Sequence, residues 1–320
     1  MTTSLITMTD AAIAIEKVRV AAEVRQSHLA RQGRQDPETE ELHRRLKDLE
    51  EFVDGRVAYL IQSHPAYPWF SRVKGVGGEN IAKVVAPIDI VKATTISSLW
   101  MFAGHGLSGE GKAMKRVKGE KLHYNSQLRS MCWRLATSLK MTKGSFYDYY
   151  DREKEKYIER FLNQGYRILP TPIGKWVCLN CGASWGKKRD ITPCCDQPQI
   201  EKKVRDEPPG IIWKGHLDMM AVRKMIKLFL ACLWLVWREA EGLPVTKPYA
   251  LDRLGHNSYI DPWKMVDREP QKAEKPIKEE RAIIVKKPIN IERAIMLEKP
   301  TEKERAIKGE KPIISERAKR

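Results

Sequence analysis

The chain has 320 residues, a formal net charge of +17 at pH 7 and six cysteines. Its most apolar run, residues 228–237, is about half as long as a membrane-spanning helix. The first residues lack the basic and then apolar order of a secretory signal. We therefore expect a soluble, cytoplasmic protein that does not enter a membrane.

The positive charge suits a polyanionic partner, and nucleic acid is the commonest polyanion that proteins bind. A solubilising surface or a basic tail would give the same total, so the charge leaves both interpretations open. The length allows two ordinary domains with a large buried core. The patterns described below predict a mainly α-helical fold.

Residues 1–65 are predicted to form a helical hairpin or a coiled coil. In the second half of this region, apolar residues recur about every 3.5 positions, as they do on one face of a helix. Residues 32–37 break the pattern into two arms. The arms indicate an antiparallel hairpin or a dimerising coiled coil, and we expect a homo-oligomer that forms through them.

Residues 66–164 contain the pattern of a helix-hairpin-helix element, in which two helices flank a Gly-apolar-Gly turn. Glycine permits positive φ, and the free N–H groups that open the second helix can hold a phosphate without reading DNA sequence. The predicted DNA-binding residues are Lys74, Gly75, Val76, Gly77, Gly78 and Lys83. An ordinary loop is the alternative, and Ile81 stands where the usual motif has a small residue.

Residues 165–213 are dense in Gly, Pro, Trp and Cys and show no helical periodicity. Two cysteine pairs in a chain without a secretory signal indicate a metal site rather than disulfides. The spacing predicts a structural Zn²⁺ in a small zinc-ribbon-like insert, with the ligands Cys178, Cys181, Cys194 and Cys195. Because the last two are adjacent, one of them could give way to another ligand. Unpaired or redox cysteines and a catalytic metal are the alternatives.

Residues 214–262 return to a helical pattern, with an apolar helix over residues 216–241 that we expect to be buried at the domain centre. We assign residues 263–320 to a tail, in which Lys-Pro recurs every twelve residues from Lys275-Pro276 onward. Prolines at this interval interrupt any helix, and each unit has too few apolar residues to offset the entropy of ordering. We predict a disordered tail, with a functional basic arm as the alternative.

Several short motifs follow the hairpin in a fixed order. After Gly75-Val76-Gly77 come Pro87-Ile88-Asp89, Gly104-His105-Gly106, Ser108-Gly109, Asn125-Ser126-Gln127 and Ala221-Val222-Arg223. In this order they resemble the C-terminal domain of the bridge-RNA-guided insertion-sequence transposases of the IS-one-ten type. The resemblance covers residues 66–160 and 214–242, about two fifths of the chain. It rests on order and spacing rather than on any single motif.

The resemblance implies a nucleophilic serine at Ser108, which lies in a glycine-rich turn. Cations near such a serine would stabilise the charge that develops on a phosphate during attack. The predicted cations are Lys112, Lys115, Arg116 and Arg129. A solvated basic face is the alternative for Arg129, and His105 and His123 are candidates for proton transfer.

Full-length members of that family carry a RuvC-like nuclease domain with four carboxylates before the coiled coil. Residues 1–65 contain no apolar strand that ends in an aspartate, so we expect this chain to lack that domain. Mg²⁺ and catalysis would then require a separately encoded nuclease partner, and the resemblance also implies a guide RNA. The expected function is DNA binding in transposition or site-specific recombination. The alternatives are a non-catalytic DNA- or RNA-binding protein and a coiled-coil assembly protein.

Overall fold

The structure is a computed structural model that describes residues 3–107, 111, 113–203, 206–245 and 260–269. This part of the chain is mainly helical with a small sheet region, as the sequence predicts. Its α-helices are α1 (Thr3–Arg31), α2 (Pro37–Leu60), α3 (Tyr67–Phe70), α4 (Gly78–Val85), α5 (Ile96–Phe102), α6 (Ser126–Thr142), α7 (Ser145–Asn163) and α8 (Lys214–Ala240). Short 3₁₀ helices lie at Ile61–Ser63, Lys188–Asp190 and Pro262–Met265. None of the described helices is long and apolar enough to cross a membrane.

Helices α1 and α2 pack against each other in opposite directions, joined by the short loop 32–36. Proline at the start of α2 already has a helical φ, and the Asp36 carboxylate accepts hydrogen bonds from the backbone N–H and the hydroxyl of Thr39. The inner face of the pair joins the main hydrophobic core. The outer face of α2 leaves four large side chains exposed: Leu42, Leu49, Phe52 and Tyr59.

The main core is centred where α3, α7 and α8 meet. The ring centroid of Phe229 lies 5.4 Å from that of Trp69 and 5.3 Å from that of Phe146, and all three side chains are buried. Helices α5, α6 and α7 pack against α8, which buries side chains along most of its length. Because α8 touches so many elements, it fixes the relative positions of the residues that project from them.

The turn between α3 and α4 lies against α6. Gly75 has a φ of +90°, a conformation that side-chain-bearing residues rarely adopt. A Cβ at this position would overlap the hydroxyl of Thr142 and lie 3.0 Å from the backbone oxygen of Ser138. Gly77, in contrast, has a φ of −88° and open space around it. The packing of the turn therefore requires glycine at position 75 and permits other residues at position 77.

These environments predict different costs for the same substitution. Gly75→Ser is expected to lower the free energy of unfolding by about 2 kcal/mol, because positive φ and a backbone clash both oppose a side chain there. Gly77→Ser should change it by less than about 0.5 kcal/mol, since serine is a good helix N-cap. Urea unfolding followed by circular dichroism measures both. Equal stability of the two variants would contradict the packing of this turn against α6.

Residues 260–269 lie across the same turn and belong to the helical unit. The Asp267 carboxylate accepts hydrogen bonds from the backbone N–H groups of Lys74, at 2.8 Å, and Ser145, at 2.7 Å. These contacts correct the start of the disordered tail predicted at residue 263, because hydrogen bonds to two distant segments hold the first residues of that region. The rest of the predicted tail lies outside the described residues.

All strands in the described part of the chain lie between α7 and α8. They are β1 (Arg167–Leu169), β2 (Trp176–Cys178), β3 (Ser184–Trp185), β4 (Ile200–Lys202) and β5 (Ile211–Trp213). Strands β1 and β5 pair in parallel, and β2 lies between β3 and β4 in a small antiparallel sheet. The apolar cluster of this insert contains only Leu169, Val177, Leu179 and Ile211, with Trp213 packed against it. So small a core needs further stabilisation, as a disulfide or a metal gives to small domains.

Candidate functional site

The four cysteines of the insert converge on one point. Cys178 ends β2, Cys181 lies in the turn that follows, and the other two precede β4. All four Sγ atoms lie within 4.8 Å of one another, and that of Cys195 is 3.8 Å from Cys178 and 3.9 Å from Cys194. A tetrahedral zinc with Zn–S bonds of about 2.3 Å separates its sulfurs by about 3.8 Å, whereas a disulfide bond is about 2.05 Å long. The cluster therefore fits one tetrahedral metal ion and includes both adjacent cysteines.

The backbone around the cysteine cluster forms a tight turn of the kind found in zinc knuckles. The Gly182 N–H donates to the Cys178 oxygen at 2.8 Å, and the Cys178 N–H donates to the Ala183 oxygen at 2.8 Å. Gly182 has a φ of +80°, and a Cβ there would overlap the ring of Pro170. In the sequence Cys-x-x-Cys-Gly, glycine thus allows a tight turn that places the first two sulfurs on the same side.

The sulfurs differ in how readily they ionise. Burial opposes ionisation of Cys178, but backbone N–H groups that point at its sulfur lower its pKa to about 6. Burial and the neighbouring thiols raise the pKa of Cys194 to about 12. The turn therefore stabilises the Cys178 thiolate in advance, while burial and the neighbouring thiols oppose ionisation of Cys194 unless a metal supplies positive charge.

A second group of side chains surrounds the turn after α5. It consists of Arg129 from α6 and of Arg223 and Lys227, four positions apart on α8; we call these three residues the cation cluster. Each is partly buried. Arg223 donates hydrogen bonds to the backbone oxygens of His105, at 3.0 Å, and Gly106. These hydrogen bonds from the cluster therefore fix the backbone of the turn.

Neutral groups, rather than acids, contact the other two cations. Arg129 donates to the backbone oxygen of Met114 at 2.9 Å, and the Lys227 Nζ lies 4.0 Å from the ring centroid of Trp100. Within the described part of the chain, no carboxylate forms an ion pair with any member of the cluster. Lys224, on the same helix, differs because it pairs with the buried Glu153.

The cations of the cluster repel one another. Burial lowers the pKa of Arg223, and the charge of Arg129 lowers it further. Burial also lowers the pKa of Lys227, with Arg223 and Lys224 adding to the effect. Partly buried like charges without a counter-charge destabilise the fold in isolation. Such an arrangement is typical of a site that receives an anion.

An exposed basic segment, residues 113–121, borders the cation cluster. Its first residue forms a β-bridge with Leu107, and Met114 contacts Arg129. Its basic residues are exposed: Lys115, Arg116, Lys118 and Lys121. The fold thus brings three of the predicted cations, at positions 115, 116 and 129, to one region. Ser108 and Lys112 lie outside the described residues.

His105 is placed poorly for proton transfer. Its side chain is 1% exposed and packs against Trp133. Burial, followed by the charges of the cation cluster, lowers its pKa to about 3. At neutral pH it is therefore uncharged and a weak general base. This corrects the expectation that it could serve a nearby nucleophile, and His123 is exposed on the surface.

One of the predicted DNA-binding residues is buried. Lys83 is 4% exposed, and its Nζ lies 3.0 Å from the Glu16 carboxylate, so it stabilises the contact between α4 and α1. Its prediction as a DNA-binding residue is corrected for that reason. Lys74 and Gly77 are exposed, and Gly75, Val76 and Gly78 are half-buried.

No protein-family model, curated protein or solved structure matches the chain. The cysteine cluster and the cation cluster are therefore interpreted from their own geometry. Sequence reasoning missed Arg223 and Lys227, because α8 was interpreted only as a buried helix. The available signal was two basic residues at i and i+4, which share one face of a helix, in an apolar-rich segment that also carries Lys224.

Proposed function

We propose that this chain binds DNA through the cation cluster and the basic segment. The observation that carries the proposal is the set of partly buried cations at Arg129, Arg223 and Lys227, which have no carboxylate partner among the described residues. A DNA phosphate would supply the missing negative charge and accept charge-assisted hydrogen bonds from both guanidinium groups. The exposed lysines and arginine of residues 115–121 would then contact phosphates further along the backbone.

The turn between α3 and α4 is the second contact in this proposal. We interpret α3, the turn and α4 as a helix-hairpin-helix element, in which the free N–H groups at the start of α4 hold a phosphate. With Lys83 buried, the predicted DNA-binding cation that remains exposed beside this turn is Lys74. Contacts of this kind position the duplex without specifying a sequence.

We further propose that DNA binding serves transposition or site-specific recombination. The support is the order of motifs from Gly75 to Arg223, which resembles the insertion-sequence transposases. His105, the histidine that lies in the turn itself, is buried and a weak general base. The proposal is therefore that cleavage requires a separate nuclease partner that carries Mg²⁺. A guide RNA is part of the same proposal.

The metal that we propose for the cysteine cluster is structural zinc. Four thiolates fill a tetrahedral zinc site, so no coordination position is left open for a substrate. Their sulfur separations fit this geometry, and the small core of the insert explains why the chain would need the metal. Cys178, Cys181, Cys194 and Cys195 would hold it.

We also propose that the chain forms a homo-oligomer through α1 and α2. The exposed apolar side chains on the outer face of α2 favour this assembly, because burying them removes apolar surface from water. The sedimentation coefficient of the pure protein tests the proposal.

The DNA-binding proposal is tested by removing two cluster charges with Arg223→Gln and Lys227→Gln together. Affinity for a duplex should fall by at least about tenfold, and the slope of log affinity against log salt should decrease by about 1 to 2. The control is Arg25→Gln with Arg31→Gln, which removes the same charge from exposed positions at the far end of α1.

The control variant should bind within about twofold of the wild type, since remote surface charges act weakly at physiological salt. Fluorescence anisotropy with labelled duplex gives the affinities, and thermal unfolding shows whether each variant is folded. If the two double variants lose affinity equally, net charge and not the cluster explains the binding, and the proposed site is wrong.

A further inference from the structure

Apolar side chains that the fold leaves in solvent border the cation cluster. Met101 and Phe102, at the end of α5, are 41% and 40% exposed, and Leu107 is 53% exposed. We call these three residues the apolar rim. They differ from scattered surface hydrophobics, which are common in soluble proteins, because they gather at one turn beside cations that have no carboxylate partner among the described residues.

Glycines bring the rim and the cluster together. Gly104 has a φ of +70°, and a Cβ there would lie 2.7 Å from the Tyr124 ring and 2.9 Å from the Arg129 side chain. At Gly106, a Cβ would overlap the side chain of Met101. The turn therefore packs Arg129 against one of its glycines and Met101 against the other.

Further contacts connect the rim to the same surface. The Asn125 N–H donates to the backbone oxygen of Phe102 at 2.8 Å, and the Arg129 guanidinium lies 5.0 Å from the ring centroid of the adjacent Tyr124. Arg223 holds the backbone oxygen of Gly106, the residue before Leu107. Positive charge and exposed apolar surface thus lie together at the turn after α5.

From this juxtaposition we infer that the site takes a DNA strand with unpaired bases, with a phosphate at the cation cluster and a base stacked on Phe102. In an intact duplex the base faces are stacked on each other, and the grooves and phosphates offer little to an exposed phenyl ring. An unpaired base exposes its face, and stacking on an aromatic side chain is sequence-tolerant. The inference rests on the proposed DNA binding and specifies the form of DNA that binds.

The test compares three probes: a duplex, the same duplex with a central unpaired bubble, and one of its strands. The wild-type chain should bind the bubble and the single strand about tenfold more tightly than the duplex, as expected for a stacked base. Phe102→Ala should remove most of this preference and leave the duplex affinity within about twofold. Phe102→Tyr keeps the ring and should keep the preference, while Phe102→Leu keeps apolar volume without a ring and should lose it.

The control is Leu162→Ala, which truncates an apolar residue at the end of α7 that is even more exposed than Phe102, 54% against 40%. It should leave all three affinities unchanged. A direct readout uses iodouracil in the bubble as a photocrosslinking base, and peptide mass spectrometry should locate the crosslink within residues 101–107. The crosslink does not depend on any variant's folding.

The outcomes separate this inference from the proposed function. If Phe102→Ala lowers all affinities equally or none, and the crosslink maps elsewhere, base stacking at the rim is overturned. Sensitivity of duplex binding to Arg223→Gln with Lys227→Gln would then keep the DNA-binding proposal intact. If the wild-type chain binds none of the three probes, both proposals fail, and the rim would have to serve a protein partner.

Discussion

Removing the proposed zinc from the cysteine cluster is expected to unfold residues 170–205 while the helical core keeps its circular dichroism. The insert has an apolar cluster of four buried residues, whereas structural zinc contributes on the order of 10 kcal/mol to folding in small domains. The helical core should not depend on the metal, because it is formed where α3, α7 and α8 pack together. Purified protein should contain about one zinc per chain.

The measurement combines metal analysis with limited proteolysis before and after addition of a chelator. Chelation, or Cys178→Ser with Cys181→Ser, should make the insert protease-sensitive, and added zinc should restore the chelated wild type. Cys132→Ala is the control, since Cys132 is buried in the helical core and should not change the zinc content. Absence of stoichiometric metal, or four freely titratable thiols in the native protein, would rule out the zinc site.

The cysteine cluster could be predicted because its signal is local. Cys-x-x-Cys followed by Gly predicts a turn with two sulfurs on one side, and only the partners of that pair depend on the rest of the chain. Whether Cys194 and Cys195 both reach the site depends on the path of the loop before β4, which no motif specifies. The structure decides that point, since both sulfurs lie within 4.8 Å of the others.

Predictions that depended on distant contacts were less successful. Lys83 lies in a run of apolar residues, Ile81 to Val85, and a lysine in such a run is a signal of burial. Its partner Glu16 is 67 positions away, so the sequence could not identify the ion pair. The same limit applies to Asp267, whose carboxylate holds backbone groups of Lys74 and Ser145.

The second large effect is expected from Lys83→Met, which should lower the free energy of unfolding at pH 7 by about 3 kcal/mol. Removing one partner of a buried ion pair leaves the other charge without compensation. Besides Glu16, the charge of Lys83 acts on Asp54 and Glu79, whose pKa values burial already raises. The variant therefore leaves three carboxyl groups close together without their shared cation.

The decrease in the free energy of unfolding that Lys83→Met causes should become smaller as the pH falls from 7 to 5. Without Lys83 the pKa values of Asp54 and Glu79 rise further above their unfolded values, so protonation favours the folded state of the variant. In the wild type, Glu16 has a lowered pKa, although burial opposes the hydrogen bonds and charges of Lys83 and Arg134. Its contribution is therefore present above the unfolded pKa and is lost as the pH falls through the folded pKa. The first effect reduces the difference between the two proteins from pH 7 to pH 5, and the second reduces it only in stronger acid, below the ordinary pKa of Glu16.

The matched control is Arg134→Gln, which removes the other cation from the same carboxylate. Arg134 lies 2.7 Å from Glu16 but is 45% exposed, and exposed ion pairs contribute about 0 to 1 kcal/mol. Urea unfolding at pH 5 and pH 7 gives the difference in unfolding free energy between the wild type and each of the two variants at each pH. Equal costs for the two variants, or a Lys83→Met cost that does not change with pH, would contradict a buried cation shared by acids from α1, α2 and α4. The expected pattern would show that Lys83 stabilises the fold.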